Sequence, residues 1–115
     1  MDNRPDTERV WRVFLDMHEE LYPGIVVTRQ NLTVGTGLDD RVVREAIHEL
    51  VCEHGKPIIS LQTGGYKVAG SQQEIEQACG YYHRYAMQLL ERETALRKSW
   101  AAWAQAEQIQ LGVRG

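Results

Sequence analysis

Phenylalanine occurs once in this 115-residue chain, proline three times and cysteine twice. No long apolar run is present either. The strings GIVV (24–27) and PIIS (57–60) fall far short of the ~20 residues that cross a bilayer. Two cysteines are too few for a secreted disulfide scaffold and suit a reducing cytosol, where thiols stay free. The charged opening MDNRPDTER has no apolar stretch behind it, which argues against a secretory signal and for a cytoplasmic protein with no membrane partner. An excess of positive charge is also missing. Residues 1–70 carry eight Lys/Arg against eleven Asp/Glu, and residues 71–115 carry five of each, for a net −3. A protein that holds nucleic acid by its phosphates usually shows a basic surface. What is present is ordinary for a single small globular domain: 43% hydrophobic and 25% charged residues, with three Trp and five Tyr to add buried area.

The apolar pattern predicts a mostly helical α+β chain. Asp6 or Thr7 caps a first helix on which Val10, Trp11, Phe14, Leu15, Met17, His18 and Leu21 recur at helical spacing, ended by YPGI (22–25). Ile25–Val27 reads as a very short strand. Thr28 caps a second helix to about Gly35, and Gly35–Gly37 ends it. Asp39 caps a third, with Val42, Val43, Ala46, Ile47, Leu50 and Val51 as its apolar face. Gly55 and Pro57 stop that helix. The strands Ile58–Leu61 and Tyr66–Ala69 form a hairpin about QTGG (62–65). Ser71 and Glu74 are spaced as a capping box, and beyond them only Gly80 interrupts a helical pattern reaching about Gln110. The boundary falls at Gly70/Ser71, giving a domain over 1–70 and a C-terminal helix over 71–115.

This order of elements is that of a winged helix-turn-helix, and the spacing within it is more specific. Leu32 anchors the second helix, Thr33 sits where two helices approach, Gly37 takes the strained turn, Leu38 plugs it, and Val43, Ala46, Ile47 and Leu50 turn the third helix inward. The stretch resembles the winged helix-turn-helix of the biotin-repressor type over roughly residues 7–69, with Gly64-Gly65-Tyr66 similar to that family's wing. Thr33 departs from the more usual Ala, Gly35 weakens the second helix, and nothing resembles the ligase that follows the domain in biotin repressors. A small domain of this kind with a trailing helix also looks like short phage- or prophage-encoded proteins.

The resemblance implies double-stranded DNA binding in transcriptional control or a phage DNA transaction, with no cofactor. The third helix would enter the major groove, placing Arg41, Arg44 and His48 on bases or phosphates. Thr28, Arg29 and Gln30 at a helix N-terminus would hold a phosphate, and Thr63 and Lys67 would be wing contacts. Asp39, Asp40, Glu45, Glu49 and Glu53 on or beside the same helix oppose this. They favour an acidic docking module for a protein, such as a host nucleic-acid-binding factor bound by a phage protein.

On the C-terminal helix Ile75, Tyr82, Leu89, Leu96 and Trp103 recur every seven residues, with Ala78 and Tyr85 at intermediate positions and Ala86 and Trp100 widening the stripe on one side. Tyr82, Tyr85, Leu89, Leu96, Trp100 and Trp103 are thereby candidates for homodimer contacts. The alternative is a helix that bends at Gly80 and folds back. His48/Cys52 and Cys79/His83 have i,i+4 spacing, yet the first pair faces outward and no Cys-x-x-Cys occurs, so a metal site is not expected. No catalytic or phosphate-loop motif is present, and adjacent acids such as Glu19/Glu20 diverge on a helix, so the chain does not read as an enzyme.

Overall fold

The computed structural model describes residues 4–20 and 24–114, leaving the side chains at 18–20 and 109–114 outside that description. Its elements are α1 (Asp6–Glu20), α2 (Arg29–Thr36), α3 (Asp40–Cys52), β1 (Ile58–Ser60), β2 (Tyr66–Val68) and α4 (Gln72–Arg114). They form two compact units, Met1–Ala78 and Cys79–Gly115. The architecture is mostly helical with one antiparallel hairpin, an α+β arrangement. Among the described residues no helix is long and apolar enough to cross a membrane.

Capping sets the helix starts. The Thr28 hydroxyl accepts the Asn31 N–H, and the Asn31 side chain accepts the Thr28 N–H, both at 3.0 Å. Asp39 accepts the Val42 N–H at 3.0 Å. Between α2 and α3 Gly37 is the C-cap, at φ +73°, a left-handed backbone that a side chain would strain. The residues expected at the end of α1 beyond Glu20, Leu21 to Pro23, and the side chain of His18 lie outside the described residues.

One core joins the first unit. Val10 and Phe14 of α1, Leu32 of α2, Val43, Ala46, Ile47 and Leu50 of α3, Val27, Ile58 and Tyr66 are buried together. Leu38, Trp11, Val13, Met17 and Val68 pack against them. The hairpin pairs Ile58 with Val68, Ile59 with Lys67 and Ser60 with Tyr66. The strand expected at Ile25–Val27 contracts to a single bridge. Val27 and Tyr66 exchange both backbone hydrogen bonds, at 2.7 and 2.8 Å. This explains Gly65, at φ +85°: a Cβ there would stand 3.1 Å from the Val27 carbonyl oxygen.

Two features of the α1/α2 packing differ from the sequence reading. The position that must be small is Gly35, where a Cβ would come 3.1 Å from Val13 Cγ2; Thr33 is half-buried and its hydroxyl bonds the Gln30 carbonyl at 3.3 Å. Thr36, which carried no signal in the sequence, is buried. Its hydroxyl donates to the Leu32 carbonyl at 2.6 Å and accepts the Leu38 N–H at 3.1 Å, and its own carbonyl accepts the Arg9 guanidinium. A cation on the last carbonyls of a helix also opposes the negative end of its dipole.

The start of α4 is tied to the hairpin. Ser71 Oγ accepts the Glu74 N–H at 3.2 Å, but the Glu74 carboxylate passes its expected partner and accepts the Gly70 N–H at 3.1 Å. Its other oxygen lies 2.5 Å from Lys67 Nζ. The Lys67 hydrogen bond is the main cause that holds the Glu74 carboxyl below the ordinary glutamate value of 4.5, with the Gly70 N–H adding to it. A depressed carboxyl contributes stability that is full above the unfolded value and is lost as pH falls through the folded one. Glu74→Gln should therefore lower the melting temperature at neutral pH, and its difference from wild type should vanish on acidification below pH 4.5. Thermal melts across pH 3–7 check this. α4 is helical on both sides of Gly80, where a Cβ would meet only the Arg84 guanidinium at 4.0 Å, so no close contact requires glycine there among the described residues.

Candidate functional site

The exposed side of α3 carries the residues that the sequence nominated for contact. Arg41, Arg44, Glu45 and His48 border one shallow surface depression. Their spacing puts them there: Val43, Ala46, Ile47 and Leu50 take the opposite, buried face.

Each nominated cation meets a carboxylate. Arg44 Nε lies 3.1 Å from Asp40 Oδ2, and Arg29 Nε lies 3.9 Å from Asp40 Oδ1, so one aspartate is shared by α2 and α3. Arg41 lies 3.6 Å from Glu45. Lys67 is bound to Glu74, and its side chain is only 18% exposed. The sequence placed Asp40 as a helix-end residue and Glu74 as a cap; it did not bring either to these cations. The signal was present for the i,i+4 pairs Asp40/Arg44 and Arg41/Glu45. It was absent for Lys67/Glu74, which meet because of where α4 begins relative to the hairpin.

The remaining nominees are exposed. Thr28 spends its hydroxyl on the α2 cap, Gln30 is solvated, and Thr63 sits in the hairpin turn, where the Gly64 N–H donates to the Leu61 carbonyl at 3.0 Å. His48 and Cys52 do touch, with Sγ 3.7 Å from Nε2. Both cysteines are free and exposed. Glu49, Glu53 and His54 also gather donor atoms within 4.8 Å, all exposed, and His54 Nε2 stands 3.8 Å from Glu49.

The electrostatic result is a balance. Across the N-terminal half of α3 and the start of α2, Arg29, Arg41 and Arg44 face Asp39, Asp40 and Glu45. Toward the C-terminal end of α3, Glu49 and Glu53 follow with no guanidinium on that helix beyond Arg44.

The second unit presents a different surface. Tyr82, Tyr85, Leu89, Leu96, Trp100 and Trp103 are all exposed, Leu96 at 67%, Trp100 at 65% and Trp103 at 64%. At 3.6 residues per turn they fall in a sector of α4 roughly 60° wide. That is a narrow seam of the kind a second helix covers. Tyr81 stacks on Tyr85 beside it, with ring centroids 6.5 Å apart. Met87 and Leu90 are exposed on another side of the helix. Arg97 lies 3.6 Å from Glu93, whereas Arg92 has no ion-pair partner among the described residues.

No protein-family model, curated protein or solved structure matches the chain.

Proposed function

We propose that residues 7–69 form a winged helix-turn-helix of the biotin-repressor type that docks a protein partner through α3, in a chain that self-associates through α4. The balance of charge on α3 carries the docking reading. Three guanidinium groups stand against three carboxylates where a duplex would lie, and the hairpin's one cation, Lys67, is engaged by Glu74. Non-specific DNA affinity comes from the release of counterions by unopposed cations, and a balanced face releases few. The acidic end of α3, with Glu45, Glu49 and Glu53, suits a partner with a basic surface, such as a nucleic-acid-binding protein.

Double-stranded DNA is the second reading, and the exposure of Arg41 and Arg44 favours it. Exposed i,i+4 ion pairs contribute only about 0.3–0.5 kcal/mol, less than the ~1–3 kcal/mol of a good base contact, so both arginines could leave their carboxylates for guanine. Selection from a random duplex pool at low salt separates the two. Under the docking reading no motif is enriched, and Glu45→Gln/Glu49→Gln/Glu53→Gln acquires weak, salt-sensitive binding to any duplex. A motif enriched by the wild type and lost in Arg44→Ala would replace the docking reading with the DNA one.

A further inference from the structure

His48 and Cys52 stand one turn apart on the exposed side of α3, and their side chains touch. Cys52 Sγ lies 3.7 Å from His48 Nε2 and 3.9 Å from His48 Nδ1. We infer that this pair is a binding site for a divalent transition metal of the zinc class, held by Cys52 Sγ and His48 Nε2. The site lies on the face proposed above for docking, but it does not depend on that reading.

Zinc bonds sulfur at about 2.3 Å and imidazole nitrogen at about 2.0–2.1 Å, so a tetrahedral angle between them sets the two donors roughly 3.6 Å apart. The 3.7 Å separation on α3 meets that span without movement of the backbone. The thiol is not committed to a hydrogen bond, because a sulfur almost equidistant from both ring nitrogens is directed at neither. A turn of the exposed ring aims the Nε2 lone pair at the ion. The frame is rigid: Ala46, Ile47 and Leu50, from the same stretch of α3, are buried in the core. Cys79 and His83 have the same spacing on α4, yet no contact joins them among the described residues. The outward face, which counts against a site enclosed by protein, suits one open to solvent.

The donor types select the ion. A thiolate beside an imidazole favours zinc and its soft or borderline neighbours over magnesium and calcium, which take oxygen donors. On binding, the Cys52 thiol gives its proton to solvent, the neutral imidazole keeps its proton on Nδ1, and sulfur and nitrogen each displace one water from the ion. Glu45, Glu49 and Glu53 stand close by on the same helix and draw a cation toward it. Arg41 and Arg44 border the same depression as His48, but each is met by a carboxylate, from Glu45 and Asp40 respectively. Two protein donors leave the ion's remaining positions to water or to a donor from a docked partner.

Cobalt(II), a coloured stand-in for zinc, tests the site in the full chain carrying Cys79→Ser, kept reduced so that Cys52 is its one thiol. The inference expects a thiolate-to-cobalt charge-transfer band in the near ultraviolet. Added zinc should erase the band, Cys52→Ser should abolish it, and His48→Ala should remove most of it at the same cobalt concentration. Both side chains are exposed, so neither substitution opens the core, and circular dichroism checks that each variant is folded. A chain that shows no band overturns the inference. So does a band that His48→Ala leaves unchanged, since the ion then sits on the thiol alone. Cobalt bound without the band, and lost in Glu49→Gln/Glu53→Gln, overturns it in favour of Glu49, Glu53 and His54, whose donor atoms gather within 4.8 Å at the end of the same helix.

Discussion

Under the self-association proposed for α4, Leu96→Asp is expected to give a monomer, with the dimer dissociation constant raised at least a hundred-fold. Leu96 lies within the apolar seam of α4, so in a symmetric pair one substitution puts two carboxylates into the interface, one from each copy. Each loses the apolar contact of a leucine and leaves a charge away from water in the seam. A truncation such as Leu→Ala in a packed layer costs ~2–5 kcal/mol, and a hundred-fold change needs about 2.7 kcal/mol. Leu89→Asp should behave alike because it lies in the same exposed seam. Gln105→Asp, on the opposite side of the helix, should leave association unchanged. Sedimentation velocity across a concentration series checks all three. The melting transition of the Met1–Ala78 unit should be unmoved by Leu96→Asp, since its core takes no residue from beyond Tyr66 and Val68.

What the sequence made legible follows from how local each cause is. Thr28, Gly37 and Asp39 were readable as caps and turn because a cap is a contact between residues three or four apart, and all three occupy those roles. The inward face of α3 was readable because helical periodicity alone places Val43, Ala46, Ile47 and Leu50. The strand at Ile25–Val27 was over-read, since β-branched residues fit an extended backbone and only Val27 finds a partner. Gly35 was read as a weakness in α2, when its cause is the nearness of Val13, more than a full helix away in sequence.

The same rule governs the candidate site. Which side chains face outward on α3 was available from periodicity, and so was the excess of acids, Asp39, Asp40, Glu45, Glu49 and Glu53 against Arg41 and Arg44. That Asp40 stands between Arg29 and Arg44 depends on how α2 crosses α3, and that Lys67 turns to Glu74 depends on where α4 begins relative to the hairpin. These long-range contacts change the functional weighting: the cation expected on the hairpin is occupied, and the face of α3 is left neutral to acidic. In the second unit the seam was legible as a period. The unbroken helix over residues 82–103 then places the six residues on one side.

Phe14→Ala is expected to unfold most of the Met1–Ala78 unit at 37 °C while leaving the self-association proposed for α4 in place. Phe14 is the largest fully buried side chain, 1% exposed: α1 supplies it, and it shares one core with Leu32 of α2 and Val43 and Ile47 of α3. Its ring is also offset-stacked near Trp11, with centroids 6.1 Å apart. Truncation of a buried phenylalanine costs ~3–5 kcal/mol through lost transfer energy and the cavity left behind. A single core of this size supplies only ~3–5 kcal/mol in all. The loss therefore equals the reserve, whereas Phe14→Leu, which refills most of the space, should cost about 1–1.5 kcal/mol and leave the unit folded. Hydrogen exchange resolves the outcome by segment. Amides of α2, α3 and the hairpin should lose protection in Phe14→Ala, and those of residues 82–103 should keep what the proposed self-association of α4 gives them. A variant that loses α4 protection together with the core would make the two units one cooperative body. A variant that keeps both would show that the core is less dependent on its one phenylalanine than its burial implies.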